Sequence, residues 1–464
     1  MLTVSTQNSA MFWQDGWVRH RHLQYVLALA LSFSPGCKPP EESVQKAIIG
    51  AVLIDGTGGP PVSDSVVIVA RGRIRAVGNR SSMPIPAGVE KIDGRGKFLV
   101  PGLIDVHVHL GARAGPNYAA ADYTRERIER NLNAYLYFGV TTVRSMGTDR
   151  QAGFDVRKAE REGRLLTARL FTAGRGFTAP GGHPTQEVGN AVTQTNSPEE
   201  ARRQVDTLAA QQVDAIKIWV DDLGGKAPKI QPAVIDAILD QARKYNIPVT
   251  AHIYSLADTE HLVRAGAAGF LHMIQDTENI DPAFIARLRD LRIVFAPTLV
   301  RQELDWLYAA HPELLDDPDV ARSVDADVIA AAKQAARSSQ PTPAERSDFE
   351  RAMHNTRKLA AGGVLIAAGS DGGSGLDFPG LMTHRELELL AEAGLSPMEV
   401  VVAATRNGAM ALRKTDELGT IEPGRRADLV LLSANPLEEV RNLRKIDRLM
   451  LNGEWVDREH LALK

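Results

Sequence analysis

The sequence contains a single cysteine, Cys37, in 464 residues. One thiol excludes an intramolecular disulfide and any cysteine-built metal site, so metal ligands must come from His, Asp, Glu or a modified Lys. The chain also lacks a surplus of either charge. Lys and Arg number 54 against 57 Asp and Glu, a net charge of −3. No basic block or stripe stands out, which argues against a nucleic-acid partner. Aromatic residues are sparse at 5%. The apolar run at residues 23–33, LQYVLALALSF, is too short to span a bilayer comfortably.

That run has the length of a signal-peptide core, and Arg19-His20-Arg21-His22 supplies a basic flank in front of it. The flank starts late, which points to Met11 as the initiating residue. Cys37 follows directly in Ser34-Pro35-Gly36-Cys37, and this segment resembles a bacterial lipoprotein signal, whose cysteine becomes the lipidated N-terminus. Ser34 stands where an aliphatic residue is usual, and Pro35 is unusual there. The expectation is an exported protein of the periplasm or cell envelope, with residues 1–36 as signal, a lipid anchor at Cys37 and a linker over 37–44. A simple cleaved signal with an incidental cysteine is the alternative.

A chain of this length accommodates one large domain and a smaller one. Residues 47–98 read as short strands between Gly-rich turns, and the same texture returns near residues 427–432 and 446–454. Two β-rich flanks predict a discontinuous β-sandwich over 45–100 and 421–464. Between them, eight apolar strand candidates alternate with helical patterns, at 103–110, 141–146, 169–173, 215–220, 248–253, 269–274, 292–300 and 364–371. Ser197 before Pro198, Glu199 and Glu200 is a well-formed helix start. The expected fold class is α/β, a (β/α)8 TIM barrel over 101–420 with its site at the C-terminal strand ends. Residues 301–362 form a long polar, helix-rich insertion, read either as a lid or as a packed surface elaboration.

Polar residues inside these apolar strands carry the chemistry. In the first strand His107 and His109 stand two apart and so point to one face, as a pair of metal ligands would. The fourth strand carries Lys217 within an apolar run, where a charged amine is costly unless paired or chemically changed. His252 ends the fifth strand, His272 lies in the sixth and Asp371 ends the eighth. A neutral lysine that captures carbon dioxide becomes a carbamate, an anion able to bridge two metals.

The pattern HxH, Lys, His, His, Asp resembles the binuclear members of the amidohydrolase superfamily, in the imidazolonepropionase-like and prolidase-like branch. PGLIDVHVH at residues 101–109 and the tail from Thr405 through LGTIEPGRRADLVLL carry the likeness. The resemblance implies two divalent metal ions, with zinc the expected metal. One would be bound by His107, His109 and Asp371, the other by His252 and His272. Carboxylated Lys217 and a hydroxide would bridge them, and Asp371 would move the proton from that hydroxide to the leaving amine.

Tyr254 lies two residues past His252, where a tyrosine of the dipeptidase-like branch polarises the scissile carbonyl. His183, in Ala179-Pro180-Gly181-Gly182-His183-Pro184, resembles a Gly-Gly-His loop that meets substrate. Arg144 invites a substrate carboxylate or a structural ion pair, while His261 and His384 read as surface or packing residues. The leading expectation is hydrolysis of a C–N bond in a small molecule, by an Xaa-Pro or related dipeptidase or an N-acyl amino acid hydrolase. The alternatives are a cyclic amide or imidazolone hydrolase, a lactonase or an organophosphate-type esterase. A non-catalytic envelope binding protein is a reading from another class, which the presence of Asp371 argues against. A homo-oligomer is compatible with the sequence.

Overall fold

The computed structural model describes residues 45–111, 123–373 and 375–464. The signal segment, Cys37 and the linker lie outside the described residues.

Both chain ends build one mixed sheet of eight strands. Its order is Glu454–Trp455, Ile446–Leu451, Leu429–Leu432, Phe98–Pro101, Lys46–Leu53, Val62–Ala70 and Arg73–Asn79, with Glu90–Asp93 also pairing onto Lys46–Leu53. The seam between the ends is antiparallel, with Val430 opposite Val100 and Leu431 opposite Leu99. Apolar residues occupy both faces of the sheet. Ile48, Val67 and Val69 belong to one buried cluster, and Ala47, Val66 and Ile68 to another. The strands hydrogen-bond as one sheet, where the sequence reading expects the two layers of a sandwich. Alternate residues point to opposite faces, so a single sheet buries both sets.

All eight expected inner strands are present, most of them shorter than read from sequence. They are β1 (Leu103–Val108), β2 (Val140–Ser145), β3 (Arg169–Thr172), β4 (Ile216–Trp219), β5 (Val249–His252), β6 (Gly269–Leu271), β7 (Val294–Ala296) and β8 (Leu365–Ile366). Strands β1–β3 form one parallel sheet. A second runs from Thr193–Gln194 through Phe177–Thr178 to β4, β5, β6, β7 and β8 in order. The chain after β8 bonds to β1, through Val106 N to Ala368 O (3.0 Å), Asp371 N to His107 O (2.7 Å) and His109 N to Gly372 O (2.9 Å). These bonds align His107, His109 and Asp371 on adjoining segments.

The helices follow their local signals. The Ser197 side chain accepts from Glu200 N and starts Pro198–Ala210, which buries Ala201, Val205 and Leu208. β7 ends earlier than expected because Thr298 adopts a left-handed backbone (φ 56°) and Leu299–Ala310 turns helical at once. That helix, Pro318–Ser323, Ala326–Ala336 and Pro343–Ala361 make up most of the insertion. A reciprocal capping box between Thr342 and Glu345 fixes the start of Pro343–Ala361. His384 is buried, with Nε2 2.8 Å from Phe138 O, in keeping with a packing role.

Candidate metal centre and active site

The C-terminal ends of the inner strands converge on a cavity of about 290 Å³. β1 delivers His107 and, just past its end, His109; β5 delivers His252, and the turns after β6 and β8 His272 and Asp371. The Asp371 carboxylate is the meeting point for the first strand, with Oδ1 2.9 Å from His107 Nε2 and 3.0 Å from His109 Nε2. His107 packs edge-on to His272 with ring centroids 5.1 Å apart, and His272 lies 4.2 Å from His252. All four histidines and Asp371 therefore line one small volume. His272 and Asp371 both hold left-handed backbones, with φ of 66° and 60°. Non-glycine residues in this region carry about 1 kcal/mol or more of strain each, which the surrounding packing must offset.

Outer hydrogen bonds decide which ring nitrogen faces inward. The Thr298 hydroxyl donates to Ala296 O (3.0 Å), so its oxygen is left to accept from His107 Nδ1 (3.2 Å). The proton then sits on Nδ1, and Nε2 presents a lone pair to the cavity. His109 has the matching neighbour in Thr148, 3.2 Å from Nδ1. Burial lowers the His107 pKa to about 3 and also lowers those of His252 and His272, so these imidazoles are neutral donors at neutral pH. Burial alone would raise the Asp371 carboxyl; a proton on the ring nitrogen of His107 or His109 that faces it would instead hold it well below the ordinary range.

Lys217 is fully buried in β4, and its Nζ has no hydrogen-bond partner. The amine sits 4.8 Å from the centre of the Trp219 ring. Glycine makes room for this pair. A Cβ on Gly147 would lie 2.5 Å from the Trp219 ring and 2.9 Å from Lys217 Cγ, and one on Gly176 would collide in the same way. The Lys217 pKa is lowered to about 7, chiefly by burial, with Asp371 opposing and Arg144 adding to the fall. The amine is thus substantially neutral near physiological pH, the form that reacts with carbon dioxide.

A carboxylate missed in the sequence completes the site. Asp221 Oδ2 lies 3.0 Å from His183 Nδ1 and 3.2 Å from His252 Nε2, and Oδ1 is buried without a partner. Burial would raise its pKa, but the two histidines hold it down. Two groups of donor atoms thus lie close enough to share an ion: His107, His272 and Asp371, and His183, Asp221 and His252. His183 stands nearer the centre than a substrate loop requires, its ring 4.9 Å from that of His252. One signal would have found Asp221. Lys217, Trp219 and Asp221 alternate along one strand and its extension, so they share a face.

The insertion supplies one wall of the cavity through Arg301, Gln302, Asp305, Glu345 and Asp348. The Tyr254 hydroxyl donates to Asp348 Oδ2 (3.2 Å), and Asp348 is also clamped by Arg351. Burial and then Asp348 raise the Tyr254 pKa, keeping the phenol protonated. Arg301 Nε lies 3.8 Å from Asp371 Oδ2. Arg144 does not reach this cavity and has no carboxylate within ion-pair distance among the described residues. It bonds instead to the backbone oxygens of Val106 and Ala411, so both expectations for it are corrected. A strand alternates faces, and Arg144 points toward the far end of the strands, where Asp214 attracts it from beyond ion-pair distance. His261 is a partly exposed neighbour of Asp236, with no part in the site.

Residues 98–456 match the Amidohydrolase family. Imidazolonepropionase from Streptomyces griseus is 25% identical over 386 residues, covering 82% of this chain and 89% of its own length. Ochratoxinase from Aspergillus niger is 24% identical over 441 residues, covering 86% of this chain and 84% of its own. A solved structure from Bifidobacterium longum, provisionally assigned as a prolidase, superposes with a TM-score of 0.70 at 27% identity, covering 90% of this chain and 95% of that one. With the family match spanning most of the chain and donor side chains gathered at its strand ends, this protein belongs to the amidohydrolase family.

Proposed function

We propose that the two parallel sheets are the wall of one (β/α)8 barrel and that the cavity at its mouth is a binuclear metal centre hydrolysing the C–N bond of a dipeptide or N-acyl amino acid. One observation carries the metal reading. Lys217 Nζ, His107 Nε2 and Asp221 Oδ1 are buried polar atoms without hydrogen-bond partners, all in the strand-end site. Buried polar atoms are nearly always satisfied, and three electron-pair donors left open together fit cations. His107, His109 and Asp371 would hold one ion, and His252 and His272 the other. The set is oxygen and imidazole without thiolate, suited to zinc or manganese.

A carbamate on Lys217 would help hold both ions. The neutral Lys217 amine attacks carbon dioxide, forming an N–C bond and releasing one proton to solvent, which leaves a carbamate anion. Divalent ions bound there supply Lewis acidity and a water acidic enough to attack at neutral pH. The remaining work falls to side chains. Asp371 is an ionised carboxylate that can take the proton of the attacking water and pass it to the leaving nitrogen. Tyr254 stands at the rim as donor to the carbonyl oxygen, exchanging its bond to Asp348 for one to substrate. Asp221 orients His252 and His183, and His183 keeps its Nε2 for substrate.

The cavity is small enough to favour a substrate of dipeptide size. Arg301 offers a guanidinium to a substrate carboxylate, and Asp305 and Glu345 on the same wall suit an amine. The relatives' names, imidazolonepropionase and a prolidase assignment among them, support C–N hydrolysis. The test is a panel of dipeptides, N-acyl amino acids, cyclic amides and lactones offered to zinc- or manganese-loaded protein. Cleavage of the first two groups is expected. Turnover confined to lactones or cyclic amides would refute the substrate assignment.

A further inference from the structure

A second cavity, of about 410 Å³, lies at the opposite end of the same strands. Pro248, Gly269 and Ile293, at the starts of β5, β6 and β7, border it. Its interior is apolar, with Val106, Phe270, Leu271, Val294 and Ala296 among the lining residues. Three arginines, Arg144, Arg292 and Arg413, line it, and no Asp or Glu does.

None of the three forms an ion pair among the described residues. Arg144 is only 3% exposed. Its Nε donates to Val106 O (3.1 Å) and its Nη1 to Ala411 O (3.0 Å). Arg413 Nη1 meets the backbone oxygen and Oδ1 of Asn246 at 3.2 and 3.1 Å. Arg292 Nη2 has only a 3.9 Å contact with Met410 Sδ. Burial lowers the Arg144 pKa to about 10, which still leaves the guanidinium charged at neutral pH.

A buried guanidinium without a contacting counter-charge is unfavourable, since peptide oxygens solvate it but do not neutralise it. Asp214 attracts Arg144 only from beyond ion-pair distance and is itself paired with Arg157 and Arg161. Arg292 and Arg413 line the same cavity without an ion pair among the described residues. An oxyanion would remove that penalty, because Arg forks match carboxylate geometry. The apolar lining rewards a ligand with a hydrocarbon body.

We propose that this cavity binds a small organic monocarboxylate, its carboxylate among Arg144, Arg292 and Arg413 and its apolar body against Val106, Phe270 and Val294. The site shares no residue with the metal centre and does not depend on the function assigned there.

Calorimetric titration of the metal-loaded full chain with benzoate, at constant ionic strength, tests this. Saturable binding is expected, with inorganic phosphate weaker because it lacks an apolar body. Replacing the two exposed arginines, R292A/R413A, should weaken benzoate about tenfold or more without altering metal content. R144M should abolish binding, and if that variant fails to fold, the double variant decides alone. An unchanged Kd in R292A/R413A would place benzoate elsewhere and overturn the proposal. So would the absence of saturation at millimolar benzoate, or phosphate binding as tightly as benzoate.

Discussion

The Lys217→Met variant separates two consequences of burying an amine. The ordinary lysine value is 10.5, and in the fold it falls to about 7. At about 1.36 kcal/mol per pH unit, that difference is about 5 kcal/mol against the charged form. Between these values the unfolded chain holds a proton that the folded chain does not. Stability therefore rises with pH across this window, and the full penalty is present below about pH 7. Methionine has similar length and no charge to desolvate, so in chelator-treated, carbon-dioxide-free protein the variant should be the more stable at pH 6. The gain is up to about 5 kcal/mol and should shrink toward zero near pH 10. Urea denaturation followed by tryptophan fluorescence at both pH values reads this directly. With bicarbonate and zinc the order should reverse, because only the wild type can form the carbamate. Metal analysis should then find about two ions per wild-type chain and fewer in the variant. A variant no more stable than wild type at pH 6 would refute the desolvation argument. One that kept its full metal content would refute the bridge.

The other predictions concern single groups. Tyr254→Phe should keep metal content and fold while kcat falls about a hundredfold, and an unchanged kcat would remove Tyr254 from the reaction. Asp371→Asn should lower kcat about a thousandfold, and near-normal turnover would show that the proton moves elsewhere. Asp221→Asn should weaken metal binding about tenfold or more in a chelator competition, and equal affinity would leave Asp221 no orienting role. Glu386 is fully buried, and its Oε2 accepts from Val300 N (2.9 Å) at the start of the helix carrying Arg301. Burial raises its pKa from 4.5 to about 8. The unfolded chain loses that proton first, so wild-type stability falls as pH rises through this window. Glu386→Gln keeps an acceptor for Val300 N, and its denaturation midpoint should overtake that of wild type between pH 5 and 9. A constant difference would show that Glu386 ionises freely in the fold.

The residues that break an apolar strand were the ones legible in sequence. His107, His109, Lys217 and His272 stand out because a polar group in an apolar run is costly unless something pairs with it. Eight strands could be counted because their apolar runs are bounded by turns. Their ends were less readable. β7 stops at Thr298 through a backbone conformation that no side-chain pattern announces. Asp221 stayed hidden because it is followed by Asp222, and a pair of acids just past a strand looks like an ordinary turn. Asp348 and Arg301 were out of reach for a different reason. They come from an insertion whose helices are amphipathic in the usual way, and only tertiary packing brings one face over the cavity. Arg144 was misread because the sequence shows the cation but not that the nearby acid, Asp214, is held by Arg157 and Arg161.

The seam between Phe98–Pro101 and Leu429–Leu432 also sets a schedule for biosynthesis. The residues that pair there are separated by more than 300 positions, so the first strand leaves the ribosome long before its partner exists. At 5–20 residues per second, the wait is roughly 15 s to a minute. Throughout that interval the edge of Phe98–Pro101 has unmet backbone donors and acceptors, next to an apolar face that belongs to the finished sheet. A truncation that removes Leu429–Leu432 leaves that edge open. Chaperone cover for the Phe98–Pro101 edge during that interval should therefore raise the yield of folded chain.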